Sequence, residues 1–193
     1  MITQKLKTNR LILRGIKSDD VFGCFEILSD TETMILYGGV GLSSDLEIAN
    51  FISTIRKQEA DNIGFFWSII TQLDKEFIGF IKLMNYESSY FDMSYAAMGE
   101  LRNSPEFKEY VDRKGWEINY VLLKEYRGFG YMTEAINAIV EFATIENLNP
   151  IYAKVVSISN KSTIRVLQKN NFSELIQTIS DDSQMGMLYK RDI

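Results

Sequence analysis

The 193-residue chain contains no histidine. Ser-His and Cys-His nucleophilic catalysis are therefore excluded, and a zinc site would need an unusual ligand set, so no metal is expected. One cysteine, Cys24, cannot close an internal disulfide, which agrees with a reducing compartment. Two prolines are too few for a linker-rich or disordered chain. No apolar run approaches the length that crosses a bilayer, and Met1-Ile2-Thr3-Gln4-Lys5-Leu6 lacks an apolar signal core. A cytoplasmic location without membrane contact is the expectation. The formal net charge of −5 and a pI near 4.9 supply no basic field, and no basic patch is interleaved with aromatics, so nucleic acid is not an expected partner.

What the chain does contain is a hydrophobic fraction of 46% with 24% charged residues. That balance suits one soluble domain spanning 1–193. Arg10-Leu11-Ile12-Leu13-Arg14 alternates and predicts a first strand, and Val21, Phe25 and Leu28 mark a helix after Ser18-Asp19-Asp20. Ser44-Asp45-Leu46-Glu47 is a capping box before Ile48, Phe51, Ile52 and Ile55 at helical spacing. Phe65 to Ile70 and Phe77 to Ile81 flank a short polar turn, which predicts an antiparallel hairpin. Trp116 to Leu123 is the next strand. Between them, Met84 to Gly115 far exceeds the usual connection of about 4–6 residues and is expected to be an insertion. Its apolar residues, among them Tyr86, Tyr90, Phe91 and Tyr95, predict packing against the body or a partner.

After that strand the chain runs through Arg127-Gly128-Phe129-Gly130-Tyr131-Met132 into a helix with Ala135, Ile136, Ile139, Val140 and Ala143 on one face. Ile151 to Val156 is a strand, Asn160 to Lys169 a helix, and Phe172 to Ile179 and Met185 to Tyr189 complete a mixed sheet. A glycine loop between strand and helix aims unpaired backbone N–H groups at one spot, where the helix dipole also favours an anion. A diphosphate suits it. The loop is not the Walker type, since no Gly-Lys-Ser/Thr follows, and it lacks the third glycine of the dinucleotide fingerprint.

Tyr126-Arg127-Gly128-Phe129-Gly130-Tyr131-Met132-Thr133-Glu134-Ala135 resembles the acetyl-CoA pyrophosphate loop, Arg/Gln-x-x-Gly-x-Gly/Ala, of the GNAT acetyltransferases. Thr8-Asn9-Arg10-Leu11-Ile12-Leu13-Arg14, Glu117 to Leu123 and Asn160 to Phe172 resemble further segments of the branch that acetylates ribosomal-protein N-termini, in the expected order. The resemblance implies an α/β (α+β) fold, with a mixed sheet of about six to seven strands, flanking helices and an antiparallel N-terminal half. It implies an N-acetyltransferase that moves the acetyl group of acetyl-CoA directly to a primary amine on a small molecule or a protein N-terminus, as a monomer or homodimer.

The resemblance also assigns roles. The Val121 N–H would meet the thioester carbonyl, Leu122 and Leu123 would line the pantetheine arm, residues 127–132 would hold the diphosphate, and Asn160 would bond the pantetheine. Glu117, four residues before Val121, resembles the general base of the histone-acetylating branch. The sequence departs from the pattern at Met132, at Phe129 where lysine is frequent, at Asn171 in place of glycine, and at Leu167 where many relatives carry a tyrosine acid. The alternative function is a non-catalytic acetyl-CoA-binding or sensing module.

Overall fold

The computed structural model describes residues 3–38, 41–85, 114–179 and 185–193. Eight strands form one open sheet: β1 (Leu6–Lys7), β2 (Leu11–Arg14), β3 (Gly64–Thr71), β4 (Phe77–Asn85), β5 (Trp116–Leu122), β6 (Ile151–Val155), β7 (Ser173–Ile179) and β8 (Met185–Arg191). Their order across the sheet is β1-β2-β3-β4-β5-β6-β8-β7. Neighbours from β1 to β5 are antiparallel, while β5 and β6 are parallel. The sheet thus exceeds the expected six to seven strands, because Leu6–Lys7 is a two-residue strand too short to show alternation. The strand β4 extends to Asn85, so Met84 and Asn85 belong to it. The remainder of the expected insertion, 86–113, lies outside the described residues.

Two helical layers cover the sheet, and strand alternation decides which residues each receives. On one face, Phe66, Phe80, Val121 and Leu123 pack with Cys24, Ile27 and Leu28 of α1 (Val21–Ser29) and with Ile48, Ile52 and Ile55 of α3 (Asp45–Ala60). On the other, Trp67, Ile69, Ile81 and Ile118 pack with Ala135, Ile136, Ile139 and Ala143 of α4 (Tyr131–Ile145) and Leu167 of α5 (Lys161–Lys169). Cys24 is fully buried, and burial pushes its thiol up to about 12, which makes it a core residue rather than a nucleophile.

The capping box at α3 is formed: the Ser44 hydroxyl accepts from the Glu47 N–H, and the Glu47 carboxylate accepts from the Ser44 N–H. Sequence reasoning missed α2 (Thr31–Tyr37), a seven-residue helix capped by Asp30 on the Thr33 N–H at 2.9 Å and closed by Gly38 at φ 87°. The helix α5 ends through Asn171 at φ 58°, the left-handed conformation in which Asn best replaces glycine.

Asp20, 2% exposed, accepts two bonds from the Arg14 guanidinium at 2.7 and 2.8 Å, one from the Ser68 hydroxyl and one from the Lys17 N–H. Burial alone would raise its pKa, but these bonds outweigh it and hold Asp20 below the usual carboxylate value. The stabilisation is therefore full above the unfolded-state value of about 3.9 and is lost as pH falls below it through the lower folded-state value. Asp20→Ala should lower the unfolding free energy in urea by about 3 kcal/mol at pH 7, and the difference from wild type should shrink under acid.

Candidate functional site

The parallel strands β5 and β6 pair only at Trp116↔Ile151 and Glu117↔Tyr152 and then part. A cavity of about 350 Å³ opens in the gap. Its walls come from both faces of the sheet: Thr33 and Tyr37 of α2 on one side, Met132 of α4 and Val166 of α5 on the other. Three cations line it, Arg127, Arg165 and Lys169, and no carboxylate does among the described residues. In a chain with net charge −5 this is a local inversion of sign, suited to an anionic ligand.

The floor of the cavity is the loop 127–132. Gly128 at φ 85° and Gly130 at φ 80° are both left-handed, and Gly130 is the N-cap of α4. A Cβ at Gly128 would meet nothing within 4 Å, and one at Gly130 only Arg10 Nη2 at 3.6 Å. Backbone conformation, not space, requires glycine here. The first helical N–H groups of α4, from Tyr131, Met132 and Thr133, point out of the helix end without intrahelical partners, and the first bond closing the turn is Glu134 N–H to the Gly130 carbonyl at 3.1 Å.

The loop is tied down from the far end of the chain. Glu134 accepts from the Thr8 hydroxyl at 2.5 Å, the Arg10 N–H at 2.8 Å and Arg10 Nε at 2.6 Å. The same guanidinium donates to the Phe129 carbonyl at 2.9 Å and lies 4.5 Å from the Tyr131 ring centroid. Burial opposes ionisation of Glu134, yet these donors hold its pKa below the usual value. Phe129 itself is 65% exposed, its ring 6.3 Å from that of Tyr131.

The remaining residues predicted from sequence fall in or beside the gap. Val121, Leu122 and Asn160 line the cavity, and Leu123 is buried in the core under α1 and α3. The expected role of the Val121 N–H needs correction. The Leu123 N–H donates to the Ile78 carbonyl at 3.0 Å, and the two-residue period of the antiparallel ladder then turns the Val121 N–H toward Phe80 of β4. The Trp116 N–H, which donates to the Pro150 carbonyl at 2.9 Å on the β6 side, sets the opposite parity. The N–H groups that face the gap are those of Tyr120 and Leu122. Strand parity could have been read from sequence only with the register to β4 in hand.

Arg127 does not aim its guanidinium out of the loop. It donates to the Leu122 carbonyl at 3.0 and 2.8 Å and to the Thr33 hydroxyl at 2.8 Å, bracing the gap against α2. Lys124 adds ion pairs to Asp30 and Glu32 at 3.0 and 2.9 Å. Asn160 caps α5, its Oδ1 accepting from the Thr163 N–H and the Ser162 hydroxyl, which leaves its Nδ2 as the group able to face a ligand. Glu117 is half-buried at the closed end of the gap, on the α1–α3 face, and accepts from Asn119 Nδ2 at 3.2 Å. Leu167 is fully buried. Sequence reasoning missed Thr33, Arg165 and Lys169, and reads Tyr37 as part of a flexible connection where it ends α2; Asp30-x-x-Thr33 as a cap and the i, i+4 spacing of Arg165 and Lys169 were the available signals.

Residues 10–173 match the family model for the acetyltransferase (GNAT) domain. An uncharacterized N-acetyltransferase, YoaA, from Bacillus subtilis (strain 168) is 26% identical over 170 residues, 88% of this chain and 82% of that protein. The fold is similar to that of spermidine N-acetyltransferase from Vibrio cholerae in complex with CoA and spermine, with a TM-score of 0.71, 18% identity and coverage of 96% of each chain. It is also similar to RimL, a ribosomal L7/L12 alpha-N-protein acetyltransferase in complex with coenzyme A, with a TM-score of 0.73, 13% identity and coverage of 98% of each chain.

A side chain at position 130 must hold a left-handed backbone at a cost of about 1–2 kcal/mol. Relief of that strain moves the free loop out of its left-handed conformation, which binding must then restore, so Gly130→Val should weaken acetyl-CoA binding about tenfold or more in calorimetry, while circular dichroism shows the fold retained. Unchanged affinity in the folded variant would remove the loop from the site.

Proposed function

The chain belongs to the GNAT acetyltransferase family, enzymes dependent on acetyl-CoA, and on that premise we propose that it moves the acetyl group directly to a primary amine within a ternary complex. The observation that carries this reading is the cationic cavity in the gap between β5 and β6, floored by the loop and helix N-terminus at 128–133. In this reading the backbone N–H groups of that loop hold the diphosphate, with Arg165 and Lys169 adding positive charge from α5. The gap-facing N–H groups of Tyr120 and Leu122, together with Asn160, receive the pantetheine arm and the thioester carbonyl oxygen.

Glu117 is the proposed general base. It sits beside the point where the strands part, with one carboxylate oxygen fixed by Asn119. It would take a proton from the incoming ammonium, directly or through water, so that the nitrogen lone pair attacks the thioester carbon. The C–S bond then breaks, and the thiolate leaves and gains a proton. Leu167, apolar and fully buried, supplies none. Relatives named for spermidine and for a ribosomal-protein N-terminus support an amine as acceptor class.

Glu117→Gln should lower kcat by about 10²- to 10⁴-fold at neutral pH with little change in acetyl-CoA affinity. Part of the rate should return at higher pH, where more acceptor amine is already neutral. Stopped-flow or thiol-release assays over an amine panel measure both. Full activity in the variant reassigns the base, and acetyl-CoA binding by wild type without turnover of any amine would favour the non-catalytic module.

A further inference from the structure

Lys82 stands on β4 near the middle of the sheet, half-buried, opposite Asn119 of β5 and Phe66 of β3. Its ammonium lies 5.7 Å from the Tyr37 ring centroid, and Tyr37 in turn lines the cavity with its hydroxyl buried and unpartnered. None of the ion pairs among the described residues involves Lys82. A half-buried ammonium in a sheet interior is costly without a counter-charge, and a carboxylate normally accompanies it.

The β5 carboxylate on the same face is already occupied. Alternation puts Phe80 and Lys82 of β4 on one face with Val121, Asn119 and Glu117 of β5. Along this face the surface changes character: Phe80 and Val121 lie under α1–α3, whereas Lys82, Asn119 and Glu117 form a polar end. Glu117 pairs in register with Met84, so it is the diagonal neighbour of Lys82, and no ion pair joins the two among the described residues. Its carboxylate bonds Asn119 instead. Two opposite charges are thus held apart on one patch beside the gap.

We propose that Lys82 binds a carboxylate carried by the acceptor, so that the acceptor is an amine bearing an acidic group, its amine end at Glu117 and its acid end at Lys82. This rests on the acetyl-transfer reading above. Diagonal positions on neighbouring strands suit an amine and a carboxylate several bonds apart, as in free glutamate or in a peptide whose second residue is acidic. It is opposed to a polyamine, which would bring a further cation against Lys82.

The test compares acid and amide twins with acetyl-CoA as donor: glutamate against glutamine, and Ala-Glu-Ala against Ala-Gln-Ala, with spermidine and Ala-Lys-Ala as cationic acceptors. The acid twin should exceed its amide in kcat/KM by at least about tenfold, the scale of a charge-assisted bond. Lys82→Met should reduce that ratio to near unity and Lys82→Glu should shift preference to the cationic acceptors, both with unchanged acetyl-CoA affinity. The pair that shows the preference identifies the source, amino acid or peptide. Equal rates for the twins in wild type, or a preference that survives Lys82→Met, overturns the role of Lys82 while acetyl transfer stands. If acetyl-CoA binds and no amine is acetylated, the transfer reading fails. Calorimetry of Ala-Glu-Ala and glutamate on the acetyl-CoA-loaded protein then decides alone: binding lost in Lys82→Met supports the carboxylate site, and no binding, or binding that survives the substitution, overturns it.

Discussion

Two parallel strands that share two paired residues leave every later backbone group on their facing edges in need of a partner. The parting of β5 and β6 after Glu117 and Tyr152 therefore creates a demand for hydrogen bonds inside the sheet itself. Arg127 meets part of it at the Leu122 carbonyl, and a ligand with amides of its own, such as a pantetheine arm, can meet the rest. The helices follow from the same constraint. The helix α4 must begin where the gap opens, so its free N–H groups point into the gap, and α5 roofs it from the far side with Arg165 and Lys169.

Charge is arranged against the global average. Among the described residues an acidic chain turns an acid-free, three-cation surface toward the cavity, while Glu117 and Asn119 lie toward the closed end of the gap on the α1–α3 face of β5. An anionic donor molecule and an amine acceptor would thus be attracted to different stretches of one strand, and meet where that strand loses its neighbour. With no histidine in the chain, proton handling falls to carboxylates, phenols, amines and water.

Much of this was legible in the sequence because the signals were local. The capping box at Ser44, the alternation in Leu11–Arg14 and the glycine pair at 128 and 130 each specify their structure within a few residues. What escaped was set by distant partners or by brevity. Leu6–Lys7 is a strand only because Leu13 and Ile12 lie beside it, and α2 is too short to display a stripe. The donor role given to Val121 failed by one residue, because parity in β5 is fixed by its register with β4 and not by its own side chains.

The tie between Glu134 and the Thr8–Arg10 turn joins positions more than 120 residues apart. Joining positions so far apart costs loop-closure entropy, which docking of the strand pair on the sheet helps to offset. A chain whose N-terminal strand pair is undocked would lack this brace on the loop 127–132. Ligand capture at the loop and docking of the N-terminal strand pair become thermodynamically linked, so that occupancy at one end of the chain would slow amide hydrogen exchange at the other.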